Sequence, residues 1–165
     1  MSSSDQLLGV TLKNISNFVE KMITTGLWTG YYKFDNEALQ KTSGFEYTNF
    51  EITIQTIDKN CFAGIVEDNL ETGGTEGVGE IKGNVFGERV EFVKQMPIMT
   101  VIIDKKGTRK TFNKKHRPIY YSGTFSADKK TISGNWKFKF GFIWLGLLPI
   151  PITPTKGTWE MKLIE

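Results

Sequence analysis

Few residues in this chain are of a type that does chemistry. The one histidine, His116, stands between Lys115 and Arg117, just before Pro118, and the one cysteine, Cys61, follows the Asp58-Lys59-Asn60 turn. An imidazole acts as a general base only beside something that uses its proton, and no Gly-x-Ser-x-Gly elbow supplies a nucleophile for it. His116 is therefore expected in a solvated loop. Cys61 cannot form an internal disulfide and has no neighbouring base, so it reads as a small buried hydrophobe. Glu67, Asp68, Glu71 and Glu76 crowd a stretch with Gly73 and Gly74 and offer oxygen ligands of the kind Ca²⁺ takes, but the calcium-hand spacing is missing and a solvated hairpin loop is expected. Gly77-Val78-Gly79 lacks the rest of a phosphate fingerprint and the helix that must follow it. The expectation is no catalysis, no cofactor and no metal.

Binding is the remaining class, and the residues that suit it are aromatic. They make up 13% of the 165 residues. Trp28, Tyr32, Phe92, Phe125 and Trp136 are the candidate wall for one small, mainly apolar ligand; the alternative is that the same rings simply fill a core.

Two surface segments suggest a different partner. Lys105, Lys106, Arg109, Lys110, Lys114, Lys115 and Arg117 form a run without any acid, so against a net charge of +3 the rest of the chain is acidic. Such a run either docks phosphates or anionic lipid headgroups, or keeps a hairpin edge soluble. Phe112 is its only aromatic residue, a poor basis for nucleic-acid binding. From Phe142 to Ile152 the chain is almost wholly apolar, with Phe142, Trp144, Leu147 and Leu148 the candidate contacts. An exposed connection of that kind is expected to be sheltered by the amino-terminal helix, by a second copy of the chain in a homodimer, or by an anionic membrane surface.

These residues need a scaffold, and the periodicity describes one. Leu8, Leu12, Ile15, Val19 and Met22 step by helical intervals, predicting an amphipathic helix over residues 5–25 that Gly26 ends. It is expected to cover the main domain, with a dimer seam or a membrane anchor as alternatives. Beyond Gly26 the period becomes two. Segments at 27–34, 50–55, 61–66, 78–86, 89–94, 98–103, 108–112, 119–125, 132–140 and 157–164 are separated by tight turns. Consecutive strands so joined make an antiparallel up-and-down meander, and eight to ten of them close best as a barrel, since closure removes both edges. A two-sheet sandwich shares these signals. The chain is read as a single domain, 1–165: a mostly β protein with one amino-terminal helix and a barrel over 27–164.

Gly-x-Trp occurs three times, at Gly26-Leu27-Trp28, Gly134-Asn135-Trp136 and Gly157-Thr158-Trp159. The first copy, following a helix and opening a meander, resembles the start of calycin-type barrels: lipocalins, fatty-acid-binding proteins and avidins. The resemblance implies a ligand-holding barrel over Leu27 to Ile164. There is no Thr-Asp-Tyr triplet and no Arg-x-Tyr pair, so it implies no named ligand. The sequence begins without a secretory signal pattern, and its longest apolar stretch is too short and proline-broken to span a bilayer; a cytoplasmic protein is expected.

Overall fold

The structure, a computed structural model, describes residues 23–145, 147–152 and 154–164. Its elements are β1 (Gly26–Phe34), α1 (Glu37–Ser43), β2 (Thr48–Asp58), β3 (Cys61–Asp68), a 3-10 turn (Leu70–Thr72), β4 (Val78–Phe86), β5 (Arg89–Gln95), β6 (Met99–Ile102), β7 (Arg109–Phe112), β8 (Ile119–Phe125), β9 (Thr131–Phe138), β10 (Gly141–Leu145), β11 (Leu148–Ile152) and β12 (Lys156–Leu163). Eight strands close into an antiparallel barrel in the order β1-β12-β9-β8-β5-β4-β3-β2, so the sandwich alternative falls.

The meander departs from expectation in two places. β6 and β7 leave the barrel wall and pair only with each other, as do β10 and β11. The apolar segment from Phe142 to Ile152, read as a loop, is thus nearly the whole of a β-hairpin whose register pairs Phe142 with Pro151 and Trp144 with Pro149. Prolines argue against a central strand, but a ribbon with one neighbour has a free side where the missing N–H costs nothing.

Helix is the other departure. The predicted 5–25 helix lies outside the described residues except at its end, where Ile23 to Thr25 is bent chain and Ile23 enters the core. The helix that is described, α1, has seven residues, too few for an apolar period to register. Its ends carry the legible signal: the Asn36 side chain accepts from the Leu39 N–H, and Gly44 takes the left-handed conformation at φ 82°. No helix among the described residues is long and apolar enough to cross a membrane.

Alternation decides what faces inward. β1 sends in Trp28 and Tyr32, β2 Phe50, Ile52 and Ile54, β4 Ile81 and Val85, β5 Val90 and Phe92, and β12 Trp159 and Met161. Glycines on this face make room for indoles. A Cβ on Gly157 would strike the Lys33 carbonyl and the Trp136 ring, and one on Gly123 would meet Trp159 at 2.7 Å. The indole N–H of each of three core tryptophans donates to a backbone carbonyl: Trp28 to Thr24 at 3.2 Å, Trp136 to Lys33 at 3.1 Å, Trp159 to Ser122 at 3.1 Å. The three Gly-x-Trp segments therefore pin rings to the wall.

The two poles differ. Connections 59–60, 87–88 and 126–130 are tight and lie at one pole, together with the start of β1 and the end of β12. Connections 35–47, 69–77, 96–118 and 139–155, which contain α1 and both hairpins, all lie at the other.

Candidate functional site

At the pole of the long connections the barrel interior is not filled. A cavity of about 430 Å³ opens there, walled by Tyr32, Phe34, Trp136, Phe138 and Ile119 and roofed by Met99, Val101 and Ile102 of the β6–β7 hairpin. Below it the rings close up. Phe92 stacks on Tyr121 with centroids 4.6 Å apart and meets Trp159 edge-on at 5.2 Å. Of the five expected wall residues, Tyr32 and Trp136 line the cavity; Trp28, Phe92 and Phe125 belong to the packed core. The barrel is a cup: one half solid, one half open.

Deep in the cup lies an ion pair. The period of β3, Phe62, Gly64, Val66, points Asp68 inward, and that of β5, Val90, Phe92, points Lys94 inward. The Lys94 ammonium donates to Asp68 Oδ1, and each side chain is only 2% exposed. The ammonium also lies 5.2 Å from the centre of the Tyr32 ring and 5.8 Å from that of Phe50. Charges so far from water need a partner, and each of these two residues supplies the other's. Asp68 is therefore not part of a solvated acidic loop. Glu67, Glu71 and Glu76 are exposed, as that reading expected, and among the described residues no acidic, histidine or cysteine cluster is arranged to hold a metal.

Around the pair stand neutral groups. Burial pushes the phenol of Tyr32 far above its usual range, the Asp68 carboxylate adding to the effect and a Thr48 hydrogen bond opposing it. Tyr121 is raised by the same burial, then by Tyr32 and Asp68. His116 is not a solvated loop residue but half-buried at the cup wall. Its ring lies 5.4 Å from that of Phe138, and Nδ1 lies 2.8 Å from the Arg117 carbonyl, which can only accept, so Nδ1 carries the proton. Burial holds its affinity for a second proton below the ordinary 6.5; Lys94 and Arg117 act in the same direction, while the Arg117 carbonyl and Asp68 oppose.

The rim is tied by the two arginines. Arg109 donates to the carbonyls of Gly73 at 2.7 Å and Ser43 at 3.3 Å and lies 5.7 Å from the Phe45 ring, joining β7 to the 69–77 connection and to α1. Arg117 donates to the Lys139 carbonyl and covers the Phe138 ring at 5.2 Å. Of the seven expected anion contacts, these two are committed to the fold. Lys105, Lys106, Lys110, Lys114 and Lys115 are exposed, with Lys110 and Lys114 within 6 Å of the Phe112 ring centre, at 5.3 and 5.7 Å.

On the other hairpin the described side chains are uncovered. Phe142 and Leu148 are exposed and Leu147 is 94% exposed, so the shelter expected for this segment is not supplied by the described chain. Cys61 is exposed too, contrary to expectation; Phe62 takes the inward position and leaves the thiol outside, donating to Asn84 Oδ1 at 3.1 Å. No family model, no curated protein and no solved structure matches the chain.

Proposed function

We propose that this protein is a non-catalytic carrier that holds one small, mainly apolar molecule in the cup, as calycin-type barrels hold theirs. The cavity of about 430 Å³ carries this reading: it falls in the size range of small-molecule sites and has aromatic walls with a few polar groups inside. The exposed Cys61 thiol suits a reducing compartment, and we place the protein in the cytoplasm. An environment-sensitive apolar dye should bind at one equivalent, with a change in tryptophan emission from Trp136. In Ile119→Trp, which puts an indole into the cavity, the dye signal should disappear while the thermal transition stays cooperative. A flat titration of the folded wild type overturns the reading.

A second reading is favoured by one observation. Five exposed lysines and the exposed Phe142, Leu147 and Leu148 share the pole at which the cup opens. Basic and apolar side chains together suit an anionic lipid surface, each lysine contributing about 1 kcal/mol near it. Co-sedimentation with phosphatidylserine vesicles, lost in high salt and absent with phosphatidylcholine alone, supports it. Concentration-dependent self-association through Phe142 and Leu148 would instead identify a second copy of the chain as the cover.

A further inference from the structure

Charge in the cup is spread unevenly along its depth. At the bottom the Lys94 ammonium is matched by Asp68, the only acid among the described residues that line the cavity, so this level is neutral. His116 adds no charge near neutral pH, because burial lowers its affinity for a second proton. Arg109 and Arg117 line the same cavity, and among the described residues neither has a carboxylate within ion-pair distance. The bonds they make, to the carbonyls of Gly73, Ser43 and Lys139, occupy N–H groups without cancelling charge. A guanidinium has five such donors, so each arginine keeps some to spare. Both charges are felt inside the cup: against the burial that raises the Tyr32 phenol Arg109 pulls it down, and Arg117 adds to the burial that lowers His116. Arg117 is itself half-buried on the face of Phe138, and losing water without gaining an anion lowers its own proton affinity.

We propose that the molecule held in the cup is an organic anion with an apolar body, which enters apolar end first and leaves its charged head at the mouth, in the field of Arg109 and Arg117. The bottom of the cup refuses such a head, because the one ammonium there is already matched by Asp68 and an added anion would be a buried charge without a partner. At the mouth the same head keeps part of its water and gains charge-assisted bonds from guanidinium N–H groups. A neutral molecule leaves both arginines uncompensated, and a cationic one is repelled by them. The exposed Lys110, Lys114 and Lys115 at this pole extend the positive field outward and draw an anion towards the opening. Carboxylate, sulfate and phosphate heads share this chemistry. An anionic bilayer offers it as well, so free amphiphile and vesicle have to be compared.

This inference rests on the cup being a ligand site, and its test separates the two. Anilinonaphthalene sulfonate and phenylnaphthylamine share one ring system and differ in the sulfonate; both would be titrated into the folded protein, and both signals should vanish in Ile119→Trp. Added salt should weaken the sulfonate and leave the neutral probe unchanged. Arg109→Gln with Arg117→Gln should weaken the sulfonate about tenfold or more, Lys at both positions should keep most of its affinity, and the neutral probe should move with neither pair. In carboxyl-labelled decanoate bound to the wild type, a soluble gadolinium chelate should relax the carboxyl carbon while the terminal methyl stays shielded. A sulfonate affinity unmoved by salt and by the glutamine pair overturns the anionic head and leaves the cup standing. A shielded carboxyl with an exposed methyl overturns its place at the mouth. Binding to phosphatidylserine vesicles with no uptake of decanoate or of the sulfonate assigns the arginine charge to a lipid surface and overturns the proposal. Binding of neither dye overturns the cup itself. Should the glutamine pair fail to fold, a salt-insensitive sulfonate affinity in the wild type still overturns the anionic head.

Discussion

A lysine on the inward face of a barrel strand stays charged only because of what faces it. Removing either member of the Asp68 and Lys94 pair leaves the other buried and uncompensated, which costs about 3–5 kcal/mol. Lys94→Met and Asp68→Leu should each lower the unfolding free energy from denaturant titration by that amount, and the double variant should recover most of it. If both singles melt like the wild type, the pair is not buried in solution. His116 makes a second prediction. Its folded proton affinity lies below the ordinary 6.5, so between the two values the unfolded chain binds more protons and stability rises with pH. The contribution is complete above about pH 7 and is lost as the pH falls through the ordinary imidazole range. Denaturant midpoints across that range should show this slope in the wild type and a shallower one in His116→Phe. Neither role was beyond the sequence in principle. Val90, Phe92 and Met96 already fix the phase that carries Lys94 inward, and Phe62 and Val66 do so for Asp68. Asp68 is hidden because it reads as one of a group of acids instead of as a member of its strand's period, and Lys94 because no motif singles it out. The pairing itself, between strands separated by β4, is a tertiary fact with no local trace.

At the scale of elements, barrel strands were legible and insertions were not. β4 and β8 follow their expected limits: in β4 buried and exposed positions alternate without exception, and β8 buries Ile119, Tyr121 and Phe125 on one side. β6 and β7 have no such buried face, and nothing local distinguishes a hairpin in the wall from the β6–β7 and β10–β11 hairpins standing off it. α1 is held by contacts made far along the chain. Arg109 holds its end, and a Cβ on Gly107, at the tip of the β6–β7 hairpin, would strike the Thr42 carbonyl. Arg109→Met should therefore loosen 37–45 and 69–77 together: amide exchange there should quicken while β4, β5 and β8 stay protected. Unchanged exchange in either segment would show that Arg109 does not tie it. Gly157→Ala is expected to be far more damaging, because the added methyl meets the Lys33 carbonyl and the ring of Trp136 at once; a melting transition as high as the wild type's would contradict the packing described for that wall.

On the scale of the whole molecule, a packed pole and an open pole stand at opposite ends of the barrel. If the cup takes up a ligand, the melting temperature should rise with the logarithm of one plus the free concentration over Kd, as mass action requires. Closure of the barrel rests on a single seam, β1 against β12, in which Trp28 faces Leu163 and Phe34 faces Gly157. Its two strands are the first and last of the barrel in chain order, so the barrel strand made last is the one that completes the first. Until then β1 and β9 each present a bare row of backbone donors and acceptors, rich in aromatic and β-branched side chains and ready to pair with another molecule. A chain released before Lys156 is thus not a weakened barrel but an open-edged sheet, and a cell that makes this protein has reason to keep the nascent chain covered until β12 has emerged.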